Sequence, residues 1–211
     1  MAYPSVSAPY GMVPIGLIGG QNYAGAVRHM KIASAYNTNI FSGDVVKRVA
    51  AGGIEKDTGT TTATPVGVFM GCTYTDPNSN QKVFKKYFPA DTAASDIEAY
   101  VVDDPDALFK IVSCSATTTV AGIAVTCIGN NASIIQNAGS TTTGQSKIAL
   151  TSGSIATTLS LPLRIVDVVP ETTDTSGNYT EVIVKWNAPY NAEGTPNTTT
   201  GGHFYHNPIG I

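Results

Sequence analysis

Carboxylates are the densest source of chemistry in this sequence: Asp103, Asp104 and Asp106 fall within VVDDPDALF, with Asp96 and Glu98 just upstream. Clustered carboxylate oxygens can hold a hard cation such as Ca²⁺. The segment carries neither a D-x-D-x-D-G loop nor a Glu at EF-hand spacing, and Asp-Pro between two apolar runs is ordinary turn chemistry, so a turn is the expected role. The histidines are His29, His203 and His206. The last two, in GGHFYHNP, have the i, i+3 spacing that on a helix would align two imidazoles for zinc. Glycines before them and a proline after them argue against a helix, and a surface or interface role is expected instead. For hydrolysis there is no G-x-S-x-G; Ser152-Gly153-Ser154 is the nearest analogue and lacks a strand-to-helix context. No glycine-rich phosphate loop of either common pattern is present. No constellation supports an enzyme, a cofactor or a bound metal.

Cys72, Cys114 and Cys127 are odd in number and include no C-x-x-C pair, which implies neither a disulfide framework nor a zinc ribbon. Each sits among apolar or β-branched neighbours, where free Cys behaves as a small buried hydrophobe. A reducing cytosol is the expected place of maturation.

The elements that must carry these residues read as β. After residue 25, short β-type runs alternate with turn signals at the spacing of sandwiches and barrels. Strands are expected at Val27–Ala33, Ile40–Phe41, Val45–Val49 returning through Gly52-Gly53 to Ile54, Val66–Tyr74, Lys82–Phe88, Ile97–Val102, Leu108–Cys114, Ala121–Ile128, Leu161–Val169 and Tyr179–Trp186. Val182, Val184 and Trp186 share one face of the last strand, which should point into the core. DTAASD, residues 91–96, offers a helical turn, and the Asn, Gly, Ser and Thr loop at 129–144 marks a candidate sub-boundary. KVFKKY at 82–87 interleaves lysines with aromatics, which suggests stacking plus phosphate contact or, as the expected reading, an amphipathic strand.

Two segments resist regular structure. Residues 1–25 are apolar yet broken by Pro4, Pro9, Pro14 and five glycines, which excludes a helix and reads as an extended arm lying on another protein. The segment lacks the basic start and the long apolar run of a secretory signal, and no stretch of the chain is long and apolar enough for a membrane helix. From Asn187 the chain is irregular again, giving the expected organisation: arm 1–25, β-rich body 26–187, tail 188–211.

Composition narrows the class further. Charged residues make up only 13% of the 211 residues and hydrophobic ones 42%, so the surface must be neutral and polar, a part supplied by 27 threonines. The net charge of −3 provides no basic footprint for nucleic acid. A neutral surface also suits close packing beside many identical copies, where like charges would repel.

Taken in order, APYGMVPIGLIGG, KIASAYNTNIFSGDVVK, PVGVFMGCTYTD, FKKYFPA, VVDDPDALF and LRIVDVVPETTDTSGNYTEVIVKWN resemble a family of tailed-bacteriophage capsid decoration (cement) proteins of marine and cyanobacterial podoviruses. The resemblance spans roughly residues 8 to 190. It implies an antiparallel β-barrel or sandwich, a homo-oligomer with a trimer favoured, the major capsid protein as partner, and a place on the outside of the virion head after assembly in the host cytoplasm. No nucleic-acid or membrane contact is expected.

Interface candidates are then the apolar positions of the arm, Pro9, Tyr10, Met12, Pro14, Ile15, Leu17 and Ile18, together with Trp186. The alternatives are a tail, fibre or glycan-binding surface component, with Tyr179, Trp186, Tyr190, Phe204 and Tyr205 as sugar-stacking rings, and the major capsid subunit itself, whose long spine helix has no counterpart in the pattern.

Overall fold

The computed structural model describes residues 6–187 together with His203 and Tyr205. Its strands are β1 (Val13–Leu17), β2 (Arg28–Lys31), β3 (Ile40–Phe41), β4 (Val45–Arg48), β5 (Ile54–Lys56), β6 (Gly67–Thr75), β7 (Lys82–Lys85), β8 (Tyr87–Phe88), β9 (Glu98–Val102), β10 (Ala107–Ala116), β11 (Thr119–Val120), β12 (Asn131–Ala132), β13 (Ile134–Ile135), β14 (Ala149–Thr151), β15 (Leu163–Val168) and β16 (Glu181–Trp186). The helical elements within residues 6–187 are three-residue 3₁₀ turns at Val125–Cys127, Ser152–Ser154 and Pro170–Thr172, and Tyr205 also has 3₁₀ geometry.

Strand alternation sorts these elements into layers. An eight-stranded sheet runs β12-β15-β16-β10-β14-β13, with β1 and β11 also on β10. A six-stranded sheet runs β2-β9-β6-β4-β5 with β7 on β6, and β3 pairs with β8 in a separate ribbon. Most pairings are antiparallel; β10 with β14 is parallel. Among the described residues no sheet closes into a barrel, and the fold is sandwich-like and mainly β.

Phe109, Ile111, Leu150, Leu163, Ile165, Val182, Val184 and Trp186 of the large sheet pack against Val45, Val68 and Val102 of the smaller one. The next residues along the same strands, Val46, Phe69 and Val101, point the other way, into a second core with Ile40, Phe88 and Ile97. The six-stranded sheet is therefore the middle of three layers over most of its length, and β6, buried on both faces as the sequence suggests, is its spine.

Hairpin β4–β5 and the inward face of Val182, Val184 and Trp186 form as expected, the last three being at most 1% exposed. Other expectations need correction. Ala121–Ile128 is no strand: Ile123 makes an isolated bridge to Tyr179, and a 3₁₀ turn follows. Lys82–Phe88 splits at Lys86, because β7 stays on β6 while Tyr87 and Phe88 cross to β3, stacking Tyr87 on Phe41. Residues 91–96 form no helical turn. The loop at 129–144 is no boundary, since it carries β12 and β13 into the large sheet and buries Ala132 and Ile134.

The largest correction concerns the arm, whose described part belongs to the body. β1 pairs with β10 from Val13↔Lys110 to Leu17↔Ala107, and Met12 is 1% exposed in the main core. The glycines that rule out a helix are what allow this route. Gly11 passes so close to Ser146 and the Gly43 carbonyl that a Cβ would lie 2.6 Å from Ser146 Cβ. Gly11 also needs a φ of +85°, which glycine adopts without strain. There the Gly11 and Met12 amides donate to Ile148 O and Gly43 O.

Candidate functional site

The carboxylates of the 103–106 turn face three different partners and no common centre. Asp103 Oδ2 pairs with Arg28 Nε at 2.7 Å and accepts from the Tyr205 hydroxyl at 2.7 Å. Asp104 Oδ1 accepts the Asp106 amide, an Asx turn, and Asp106 pairs with Lys185. Among the described residues no group of three or more His, Cys, Asp or Glu side chains gathers at one point. Asp96 is engaged elsewhere, by the Thr75 amide and hydroxyl, which lower its carboxyl below the usual range.

His203 contradicts the expectation of a surface role, because it is fully buried. Its Nε2 lies 2.8 Å from Val66 O and its Nδ1 accepts the Tyr205 amide, an arrangement served by the tautomer with hydrogen on Nε2. The ring sits beside Trp186 and Tyr205. His29 is exposed, near Glu98, while His206 lies outside the described residues. Burial pushes the Cys72 thiol up to about 12 and raises Cys114, so neither is a thiolate nucleophile.

Asp44, Asp57 and Glu181 are buried carboxylates that were not anticipated, and the first two serve loops. Asp44, fully buried, accepts from the Phe41 amide and the Ser146 hydroxyl and pairs with Lys56 Nζ at 2.9 Å. Asp57 is raised by burial, against the opposing pull of the Gly59 and Thr64 amides and Lys47. Both carboxylates close loops: Asp57 folds 57–64 on itself, and Gln136 seals it by donating to the Asp57 and Gly59 carbonyls. Ser146, whose hydroxyl donates to Asp44, is itself fully buried, and each carboxylate holds neighbouring backbone in place.

What remains is surface. Of the interface candidates, Pro9, Met12 and Trp186 are buried within the chain itself and are withdrawn as partner contacts. Tyr10, Pro14 and Leu17 are half-buried. Ile15 and Ile18 are exposed, at 38% and 48%, and Val27 joins them at 37%.

Local chemistry explains why Ile15 faces outward: the β1–β10 register slips between Pro14 and Gly16, and the extra residue of this bulge is Ile15. Leu17 to Gln21 then turns back, closed by hydrogen bonds from Leu17 N to Gln21 O and from Gly20 N to Leu17 O. Behind the turn is a largely apolar cavity of about 200 Å³ bordered by Leu17, Tyr23, Ala26, Val102 and Ala107. Asp104 stands at its rim, and Tyr23 donates to Ala26 O across it. This margin can take an apolar side chain from outside.

The sugar-stacking candidates fare differently. Trp186 is buried, Tyr179 packs against the core, Tyr205 stands over Arg28, and Tyr190 and Phe204 lie outside the described residues. No protein-family model matches the chain, and no curated protein or solved structure shows significant similarity to it.

Proposed function

We propose that this chain is a non-enzymatic structural protein of a phage particle, a capsid decoration protein that binds the outside of the icosahedral head and bridges neighbouring capsid subunits. The observation that carries the reading is the exposed pair of Ile15, on edge strand β1, and Ile18, in the turn that follows it, on a body whose layered cores bury most of its large apolar groups. The low charge of the chain points the same way.

Attachment works by mass action. A module that binds the intact shell but not its ruptured fragments stabilises the shell in proportion to occupancy. Repeated copies add avidity without any tight single contact. The major capsid protein is the partner, and a trimer would present three apolar margins at a local symmetry axis. A major-capsid role for the chain itself is disfavoured, because no helix among the described residues exceeds three residues.

Heads purified without the protein, heated before and after it is added back, test the proposal. Rebinding at fixed stoichiometry and a higher rupture temperature are expected. The double substitution Ile15→Ser, Ile18→Ser should abolish rebinding while the isolated protein melts within a few degrees of the wild type. Heads that survive heating equally well without the protein would sink the stabilising role.

A further inference from the structure

One stretch of the six-stranded sheet lies open. At Val68 and Val102 this face is covered by the large sheet; further along the same strands it emerges into solvent. The registers His29↔Tyr100, Gly71↔Tyr100 and Thr73↔Phe84 place His29, Tyr100, Gly71 and Phe84 in a band across β2, β9, β6 and β7. Directly paired residues share a face, so the band belongs to one side of the sheet. The residues between them, Met30, Ala99 and Cys72, are buried on the other side.

The rings form a continuous shelf. Phe84, 66% exposed, is the most exposed large hydrophobic side chain among the described residues, and its centroid lies 5.6 Å from that of Tyr100. Tyr100 in turn meets His29 edge-on at 4.7 Å. Glycine at 71 makes room for this: a Cβ there would come within 3.1 Å of the tip of the Phe84 ring. Phe84 therefore lies along the sheet, over Gly71. Polar groups border the shelf. Glu98 stands 3.6 Å from His29, and the Tyr100 hydroxyl donates to Thr73 Oγ1.

We propose that this face binds a carbohydrate chain, with sugar rings stacked on Phe84 and Tyr100 and hydroxyls bonded to Glu98, His29 and Thr73. Apolar C–H faces and a rim of hydroxyls are what a shelf of rings edged by a carboxylate, an imidazole and a hydroxyl complements. The charge pattern selects against nucleic acid. Lys31 and Lys82 flank the face, but the Glu98 carboxylate stands on it and Asp96 is held at its margin by Thr75, where phosphates would be repelled. The proposal does not depend on capsid attachment, because the apolar margin at Ile15 and Ile18 comprises other residues.

Affinity electrophoresis of the full chain through gels containing hydroxyethylcellulose, xylan, galactomannan or dextran tests it, beside a gel shift with oligo(dT) at physiological ionic strength. At least one polysaccharide should retard the protein. Phe84→Ala and Tyr100→Ala should each weaken that retardation at least about tenfold. Phe84→Trp should preserve it, and Tyr205→Ala should leave it unchanged. Phe84 is so exposed that its alanine variant should keep the wild-type melting temperature. Absence of retardation in all four gels, or retardation that survives Phe84→Ala, overturns the proposal. It is equally overturned if oligo(dT) alone depends on Phe84, or if sedimentation shows the ring shelf buried in a dimer that Phe84→Ala dissociates.

Discussion

Tyr10 ties the N-terminal segment to the far end of the chain. Its hydroxyl donates to Glu181 Oε1, which Lys110 Nζ approaches to 3.2 Å, and the Lys110 ammonium lies 5.6 Å from the centre of the Tyr10 ring. Burial, then the bond to Glu181 and its charge, hold the Tyr10 phenol well above its ordinary value of 10.0. A folded-state value above the unfolded one contributes stability that is complete below the unfolded value and is lost as pH rises towards the folded one. Denaturant midpoints should therefore fall from about pH 10 upward, and Tyr10→Phe should flatten that fall. At neutral pH the same substitution should cost about 1.5–3 kcal/mol, the range for a hydrogen bond to a charged group, as read by urea unfolding. Thiol labelling gives a second residue-scale check: Cys127, partly accessible, should react with iodoacetamide in the folded protein, and Cys72 and Cys114 only after denaturant is added. Modification of all three at one rate would contradict the burial that raises the latter two. Sequence reads such residues unevenly. The apolar setting of each cysteine is local and visible, whereas Tyr10 meets a carboxylate 171 positions away and His203 a carbonyl 137 away, with no local signal for either.

Among the elements, β1 shows how a correct local rule leads to a wrong conclusion. Prolines do exclude a helix from the first residues, but an edge strand tolerates Pro14, since its missing donor need not face a neighbour. Short strands such as β12 and β13 are equally hard to read, because two residues show no alternation and their pairing depends on β15 and β14. Hairpins were legible wherever a turn signal separated alternating runs, as at β4–β5. The candidate margin at Ile15 was half-legible: the apolar residues could be named, but the bulge that separates exposed Ile15 from buried Met12 could not. Removing residues 1–25 should accordingly unfold the body instead of freeing an arm, since it strips β1 from β10 and Met12 from the core. Circular dichroism showing a cooperative, near-wild-type melt of the truncated chain would restore the arm reading. Met12→Ala alone should cost about 2–5 kcal/mol in chemical denaturation.

For the whole molecule, Asp44 is the fastening between layers. Its carboxylate joins the β3 backbone at Phe41, the β5 cation Lys56 and the Ser146 hydroxyl ahead of β14, three parts that no single sheet holds together. Asp44→Ala leaves Lys56 nearly buried without its counter-charge and should destabilise by about 3–5 kcal/mol, measured by denaturant titration. A loss under about 1 kcal/mol would show that the pair is replaceable. The layering itself follows from alternation on β6 and β9, which the sequence displays; which sheet covers which face depends on pairings between distant segments, which it does not. β10 concentrates this dependence: Val13 and Val184, from opposite ends of the body, flank it through Lys110 and Phe109. A nascent chain therefore cannot complete its principal core until nearly the whole body has left the ribosome. Contacts of such long sequence separation make folding slow, in the range of about milliseconds to seconds, and leave unpaired strand edges open to aggregation in the interval. Yield in a recombinant host should depend on synthesis rate and chaperone supply more strongly than the finished protein's stability would suggest.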